Sequence, residues 1–430
     1  MTPVLQVALD LMQLNRATAI AREAVEGGAE WIEVGTPLMK SEGAEAIRAM
    51  RREFPGLKIV ADTKTMDTGA FEVEIAAKAG ADVVTVLGLA DDSTISEAVS
   101  AGRKYGAEVM IDLINVKDKV KRAKEVESLG ASYVCLHMGV DAQMKGRAAP
   151  VDLLREIVNG TSVPVAVAGG VTADAARAYV EAGASVVVVG GGIVKAANVK
   201  EAAAAIKKAM SGAEVCSSLS KKYGEDELFE AFLRASTCNI SDAFHKRGVV
   251  MGLHPFIGRG KRMVGRALTV QTANGDWAKP VEAIDRAKPG DVIVVDAGGS
   301  PVAVWGELAS NSAMVVGVNG IVVDGAIRDI DGILDLGFPA FARSVVPCAG
   351  EPKGYGGIGM EITVGGQVVR TGDWVVGDEN GLVVIPKEVA VEVANRTVDV
   401  NEREERTREE IRRGSTLSKV NELCKWEPVK

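Results

Sequence analysis

Aromatic residues are scarce: Phe, Trp and Tyr together make up 4% of the 430 residues. The core must therefore be built from Val, Ile, Leu and Ala. Cysteine is scarce too. The five thiols, at 135, 216, 238, 348 and 424, include no Cys-x-x-Cys pair and are odd in number. Neither a disulfide framework nor a zinc ribbon is expected, and reduced thiols in a cytoplasmic protein are the simple reading. No apolar run approaches the ~18 residues that span a bilayer. Met1-Thr2-Pro3-Val4 offers no basic stretch ahead of an apolar one, so a secretory leader is not expected either. Positive charge is not in excess. The net charge is −8, which argues against general nucleic-acid affinity. The short basic run Gly258-Arg259-Gly260-Lys261-Arg262 reads as an exposed loop. His245 and His254 have no partner at metal-ligand spacing and read as ordinary.

Glycine, by contrast, is abundant, at 48 residues, and 47% of the chain is apolar. This suits a soluble globular chain of two or three domains. Short β-rich apolar runs recur through the first half, separated by Ala/Glu/Lys-rich helical stretches. They are Leu5–Asp10, Trp31–Gly35, Lys58–Lys64, Val83–Gly88, Glu108–Ile114, Tyr133–Gly139, Val163–Gly169 and Ser185–Gly190. Runs such as Val83-Val84-Thr85-Val86-Leu87 are apolar on both faces, as parallel strands covered by helices must be. Eight such units predict an α/β fold, a (β/α)8 TIM barrel over residues 1–212. An open doubly wound sheet is the alternative. Residues 213–224 read as a linker, 225–390 as a second α/β domain with Gly-rich turns, and 391–430 as a charged helical tail. In that tail Glu402/Arg406, Glu404/Arg408 and Glu409/Arg413 stand at i,i+4, which predicts a solvated helix.

The anomaly in the barrel strands is charge near their C-terminal ends: Asp10, Glu33, Asp62, Lys64, Asp112 and His137. Isolated buried charges are costly. In a barrel these side chains ring one mouth, where they can satisfy each other, a metal or a substrate. A plug of ion pairs is the bland alternative. Gly169-Gly170 after the seventh strand and Gly191-Gly192 after the eighth can bring backbone N–H groups to an anion, and this corner of a barrel commonly holds a phosphate.

Asp62-Thr63-Lys64-Thr65-Met66-Asp67 matches the DxKxxD motif of the orotidine-monophosphate decarboxylase superfamily. Leu5–Asp10, Glu33–Leu38, Lys64–Gly69 and Asp112–Asn115 make residues 1–210 resemble its 3-hexulose-6-phosphate synthase branch. The resemblance implies a Mg2+-dependent aldol reaction in which ribulose 5-phosphate and formaldehyde give arabino-3-hexulose 6-phosphate. It implies Glu33 and Asp62 as metal ligands, fitting the oxygen preference of Mg2+. Lys64 should stay protonated beside its carboxylates and face the enediolate oxyanion, with Asp10 orienting it. His137 is expected to be the base, and Asp112 to contact substrate. Asp67 is implied to complete a neighbouring protomer's site, hence a dimer. The 3-keto-gulonate-6-phosphate decarboxylases share most of these residues and remain the alternative.

In the second domain the dense stretches are Asp296–Ser300, Trp305–Ala309 and Asp324–Asp329. With Ile240–Ala243, Pro289–Asp291, Gly337–Pro339 and Gly377-Asp378, they make residues 225–386 resemble a family of swivelling β/β/α, RraA-like proteins. That family contains the ribonuclease E activity regulator and 4-hydroxy-4-methyl-2-oxoglutarate aldolase. The resemblance implies Asp329 as a ligand for Mg2+ or Mn2+ and Arg328 as a fork for a substrate carboxylate. Gly306, Glu307, Leu308 and Ala309 would line a pocket for pyruvate or another 2-oxo acid. Asp276-Trp277 departs from the Asp-Asn usual in aldolases, and the indole is expected to alter the pocket. The Gly354–Gly359 stretch is expected to be a mobile lid. The aldolase relatives form trimers or hexamers; combined with a barrel dimer, a hexamer is expected. A barrel enzyme carrying a non-catalytic regulatory module is the competing reading.

Overall fold

In this computed structural model the described residues are 3–146, 148–213, 215, 222–421 and 423. The chain divides into two units, Met1–Lys222 with Glu402–Lys430, and Tyr223–Asn401. Most of the expected linker, and Cys216 and Cys424, fall outside the described residues.

The first unit is a closed barrel of eight strands in sequence order. They are β1 (Val4–Leu9), β2 (Trp31–Val34), β3 (Lys58–Thr65), β4 (Val83–Leu87), β5 (Glu108–Asp112), β6 (Tyr133–His137), β7 (Val165–Ala168) and β8 (Val186–Val189). All pairings are parallel, and β1 closes on β8 with Val4 beside Val186. Alternation sorts the side chains. Leu5, Val7 and Leu9 pack outward against helices such as Leu14–Glu26, whose Ala17, Ile20, Ala21 and Ala24 are fully buried. Ala8, Val60, Met110, Cys135, Ala166 and Val188 point inward and fill the barrel. At its floor Trp31 and Tyr133 meet edge to face at 5.5 Å, and Lys58 Nζ lies 4.6 Å from the Trp31 ring centre and 2.5 Å from Glu108 Oε2. Apolar side chains thus fill the middle of the barrel, between the Lys58–Glu108 pair at its floor and the charged groups of the mouth.

The charged tail is not a solvated helix throughout. The helix Ala390–Arg412 carries Arg406 at 3% exposure. Its guanidinium meets Glu410 at 2.9 Å, Glu23 at 3.4 Å and the Ala197 carbonyl at 3.3 Å. Arg16 also binds Glu410, at 2.9 Å, and Arg413 binds Glu23 at 2.8 Å. A buried guanidinium needs such partners, so this part of the tail belongs to the barrel unit.

The second unit is built on a mixed nine-stranded sheet. Its centre is parallel: Met263–Gln271, Asp291–Ala303, Gly320–Ile327 and Ala340–Val345, in that spatial order. Trp374–Asp378 and Gly381–Ile385 extend it antiparallel. The helices Glu307–Val315 and Ile330–Leu336 accompany one core cluster, with Val323 and Ile327 from the strand between them. Val315–Val323 is not one strand, as its apolar content suggests. Val315 ends a helix with its side chain 87% exposed, Gly317 turns the chain at φ 83°, and the strand begins at Gly320. The helical-looking stretch 226–246 is two helices, Leu228–Arg234 and Thr237–Ala243, because Ser236 Oγ accepts from Asn239 N–H and starts a new helix.

The Gly-rich loop is fastened rather than free. Asp276 is buried and accepts backbone N–H bonds from Lys353 at 2.9 Å and Tyr355 at 2.8 Å. Gly357-Ile358 pairs with Met263–Gln271, and Gly359 N–H donates to the Thr269 carbonyl. Trp277 caps the same clamp, its indole N–H 2.9 Å from the Gly350 oxygen.

Candidate active sites

At the barrel mouth β3 carries Asp62 and then bulges against β4, with Lys64 at φ 52°. This left-handed residue costs about 1–2 kcal/mol and is tolerated where surrounding structure holds it. Here Lys64 Nζ sits 2.7 and 2.6 Å from the two Asp62 oxygens and 3.3 Å from Asp112 Oδ2. Burial alone would lower its pKa, but Asp62 and Asp112 outweigh it and hold the ammonium protonated. The hydrogen-bond and ion-pair contacts to Lys64 come from Asp62 and Asp112, while Asp10, expected to orient it, interacts with its charge through space. Asp10 lies over Gly35 and Gly190, where any Cβ would crowd its carboxylate. Poor hydration and the Asp62 charge raise its pKa.

Asp112, expected to contact substrate, is bonded to protein partners. It is 3% exposed, its Oδ1 accepts from Ile114 N–H at 2.9 Å, and its Oδ2 lies 2.8 Å from His137 Nδ1. Burial pushes its pKa up, but the His137 bond and charge and Lys64 outweigh this and lower it. An ionised Asp112 accepts the Nδ1 proton, which leaves Nε2 of a neutral imidazole bare. His137 is therefore held in the tautomer that a general base requires.

Glu33 on β2 is buried at 8% exposure, and its Oε2 accepts from Gln6 Nε2 at 2.6 Å. Its pKa stands well above the usual carboxylate value, because burial strips its water and Asp62 and Asp10 are negative neighbours. Gln6 Oε1 is buried without a hydrogen-bond partner. At the other side of the mouth Gly169 (φ 98°) and Gly170 (φ 69°) make the turn after β7. Gly191 and Gly192 open a short helix after β8, and Lys195 Nζ would lie 3.3 Å from a Cβ on Gly191. Asp67 stands apart, exposed, its Oδ1 accepting only the next backbone N–H at 2.7 Å among the side-chain bonds seen.

In the second unit Arg328 and Asp329 follow the strand Gly320–Ile327, with side chains 42% and 47% exposed and Nε 3.3 Å from Oδ2. Asp329 adopts φ 57°. Gly306 faces this pair; a Cβ there would sit 2.7 Å from Asp329 Oδ2 and 3.2 Å from Arg328 Cγ. Gly306 also precedes the helix Glu307–Val315, so the N–H groups of Glu307, Leu308 and Ala309 belong to its first turn. The Leu308 side chain is 78% exposed, and Glu307 turns to Asn311. Of these four residues it is Gly306 that lies against the Arg328–Asp329 pair.

Comparison with known proteins settles the lineage. Residues 3–206 match the family model described as Orotidine 5'-phosphate decarboxylase / HUMPS family. The 3-hexulose-6-phosphate synthase of Bacillus subtilis (strain 168) is 39% identical over 204 residues, which is 47% of this chain and 97% of that protein. The chain belongs to the HUMPS family. The 3-hexulose-6-phosphate synthase of Mycobacterium gastri is 44% identical over 209 residues, 48% of this chain and 99% of that one. Beyond its HUMPS barrel the chain has a second match: residues 237–384 fit the RraA-like model, described as Aldolase/RraA. A solved RNA-processing inhibitor RraA from Thermus thermophilis is 29% identical, with a TM-score of 0.33, covering 36% of this chain and 93% of that one.

The HUMPS barrel also uses residues that the motif reading passed over. Thr36 Oγ1 donates to Asp62 Oδ2 at 2.7 Å, and Thr85 Oγ1 to Oδ1 at 2.8 Å. Gln6 holds Glu33, and Lys195 brings charge to the glycine corner. The available signal was a polar side chain at an inward position of an apolar strand, which Gln6 and Thr85 both show.

Proposed function

We propose that the barrel is a divalent-metal-dependent aldehyde-lyase. It joins ribulose 5-phosphate and formaldehyde into arabino-3-hexulose 6-phosphate and runs the cleavage in reverse. The observation that carries this reading is the Asp62–Lys64–Asp112–His137 chain beside Glu33, in a barrel whose relatives are named 3-hexulose-6-phosphate synthase. The donor set suits Mg2+: hard carboxylate oxygens, an excess of negative charge around Glu33, and an unpartnered Gln6 amide oxygen. Among the described residues no three acidic, histidine or cysteine side chains converge as a ligand set. Two carboxylates completed by water and substrate oxygens are the ordinary Mg2+ pattern.

When bound, the cation would supply Lewis-acid charge to the substrate's carbonyl and hydroxyl oxygens. His137 Nε2 removes the C1 proton of ribulose 5-phosphate. The Lys64 ammonium faces the oxyanion of the resulting enediolate. C1 then adds to the formaldehyde carbon, and the new alkoxide takes the proton back from His137. The Gly169-Gly170 and Gly191-Gly192 turns, with Lys195, hold the phosphate. Decarboxylation of 3-keto-gulonate 6-phosphate would pass through a 1,2-enediolate of the same kind, so the substrate is decided by assay. Purified protein should form hexulose phosphate from ribulose 5-phosphate and formaldehyde and lose this with EDTA. Faster decarboxylation of 3-keto-gulonate 6-phosphate would reverse the choice.

For the second unit the proposal is a Mg2+- or Mn2+-dependent site for a 2-oxo acid, in which Asp329 holds the ion and Arg328 pairs with the carboxylate. The first-turn N–H groups at Gly306–Ala309 add a positive field. Full-length protein should decarboxylate oxaloacetate with metal, and Asp329→Ala should stop it. Inert wild-type protein would favour a regulatory or assembly module. A barrel dimer through Asp67, and a hexamer overall, belong to the same proposal. No helix among the described residues is long and apolar enough to cross a membrane.

A further inference from the structure

The carboxylate assigned to the metal is already full. A carboxylate offers about four lone-pair directions. At Asp62 two are taken by Lys64 Nζ at 2.7 and 2.6 Å, one by Thr85 Oγ1 at 2.8 Å and one by Thr36 Oγ1 at 2.7 Å. No cation can bind Asp62 while all four remain. The threonine donors are short side chains anchored elsewhere: Thr85 lies within β4, and Thr36 Oγ1 also lies 3.1 Å from the Asp62 carbonyl. Lys64 is the long, movable one. It also has a second seat within reach, Asp112 Oδ2 at 3.3 Å.

We infer that Lys64 is an internal stand-in for the divalent cation: metal entry at Asp62 displaces Nζ, which moves fully onto Asp112. The inference rests on the Glu33–Asp62 reading of the metal centre. Its consequence is that one event does two things. The ion gains its carboxylate, and the ammonium, released from Asp62, turns its free N–H groups to the mouth where the substrate oxyanion forms. Thr36 and Thr85 keep the Asp62 carboxylate in place during the exchange.

The test is Mn2+ binding without substrate, read as free Mn2+ by electron paramagnetic resonance, on the full-length chain carrying Asp329→Ala throughout so that only the barrel site is counted. Lys64→Met should tighten Mn2+ by about tenfold or more, since it removes both a charge and an occupant. Lys64→Gln repeats the test should the apolar variant misfold. Asp112→Asn with Lys64 intact should weaken Mn2+, because Lys64 loses its second seat. In the Lys64→Met background the same change should leave affinity within about twofold, as no ammonium needs seating. Equal weakening in both backgrounds would mean plain through-space charge, and the exchange would be refuted. Unchanged or weaker binding by Lys64→Met would refute it too. Full Mn2+ affinity in Asp62→Ala would instead bring down the metal-centre reading, and this inference with it. Loss of binding in Asp62→Ala with no gain in Lys64→Met removes the exchange alone.

Discussion

Asp112→Asn is the sharpest probe of the barrel chemistry, because it changes one atom's role and almost no volume. Ile114 N–H at 2.9 Å requires an acceptor at Oδ1, so the asparagine oxygen must stay there. Its NH2 then replaces Oδ2 and points at His137 Nδ1, 2.8 Å from the present oxygen. A donor facing Nδ1 requires a lone pair on that nitrogen. The ring proton moves to Nε2, where the proposed base needs a lone pair. Loss of a positioned general base removes about 10²–10⁴-fold in rate, or roughly 3–5 kcal/mol of barrier lowering. Lys64 loses its second counter-ion as well, so the upper part of that range is expected. The KM for ribulose 5-phosphate should change little, since buried Asp112 has no exposed edge for substrate. Initial rates of hexulose phosphate formation, with circular dichroism as a folding check, measure this. A kcat within about threefold of wild type would refute the tautomer argument.

The pH dependence follows from the same carboxylate. Its folded pKa is lowered, so its stabilising contribution is full above the unfolded value of about 3.9 and is lost as pH falls through the folded pKa. Loss of activity between about pH 5 and 8 should therefore not arise from Asp112.

Glu33 has the opposite sign. Its folded pKa is raised, so the metal-free protein is favoured at low pH and loses stability as pH climbs from about 4.3 to the folded pKa. Metal-free Glu33→Gln should resist urea better than wild type at pH 8, with the gap closing toward pH 4, while Mn2+ binding at the barrel is lost; a lower midpoint at pH 8 would count against this. Asp276→Ala strips the acceptor from Ala278, Lys353 and Tyr355 N–H. It should cost about 2–4 kcal/mol and speed hydrogen exchange at Lys353 and Tyr355; unchanged exchange there would show that the loop does not depend on the clamp. If Asp67 completes a partner's site, mixing inactive Asp62→Ala and Asp67→Ala proteins should restore some activity, because one site of the hybrid dimer carries neither lesion. No recovery after subunit exchange, shown with differently tagged chains, would place Asp67 elsewhere.

The barrel was legible because its strands are apolar on both faces, which leaves any charge conspicuous. Asp62, Lys64 and His137 stood out on that ground alone. What could not be read was which charge meets which. Asp112 and His137 come together because β5 and β6 pair with Asp112 beside Cys135, which sets His137 one pleat beyond it on the same inner face. That is a matter of strand register, which a single strand's composition does not contain. Thr36 was invisible for a related reason, and Thr85 showed only as a polar side chain at an inward strand position. Only the pairing of neighbouring strands shows that either one meets Asp62. In the second unit, the apolar run Val315–Val323 hides a helix end and a turn, because a short apolar run cannot be told from a helix end by periodicity alone.

The tail shows the same limit at its longest range. Glu402 to Arg413 satisfies the i,i+4 pattern of a water-exposed helix, and Glu404–Arg408 does lie on its exposed side at 2.6 Å. Arg406 obeys the same spacing and is buried all the same. The two arginines differ not in their own helix but in a carboxylate 383 residues away, Glu23, and in the Ala197 carbonyl. Local charge spacing constrains the helix; it says nothing about the surface on which that helix comes to rest. Burial of a charge is decided by whether a distant acceptor is there to receive it.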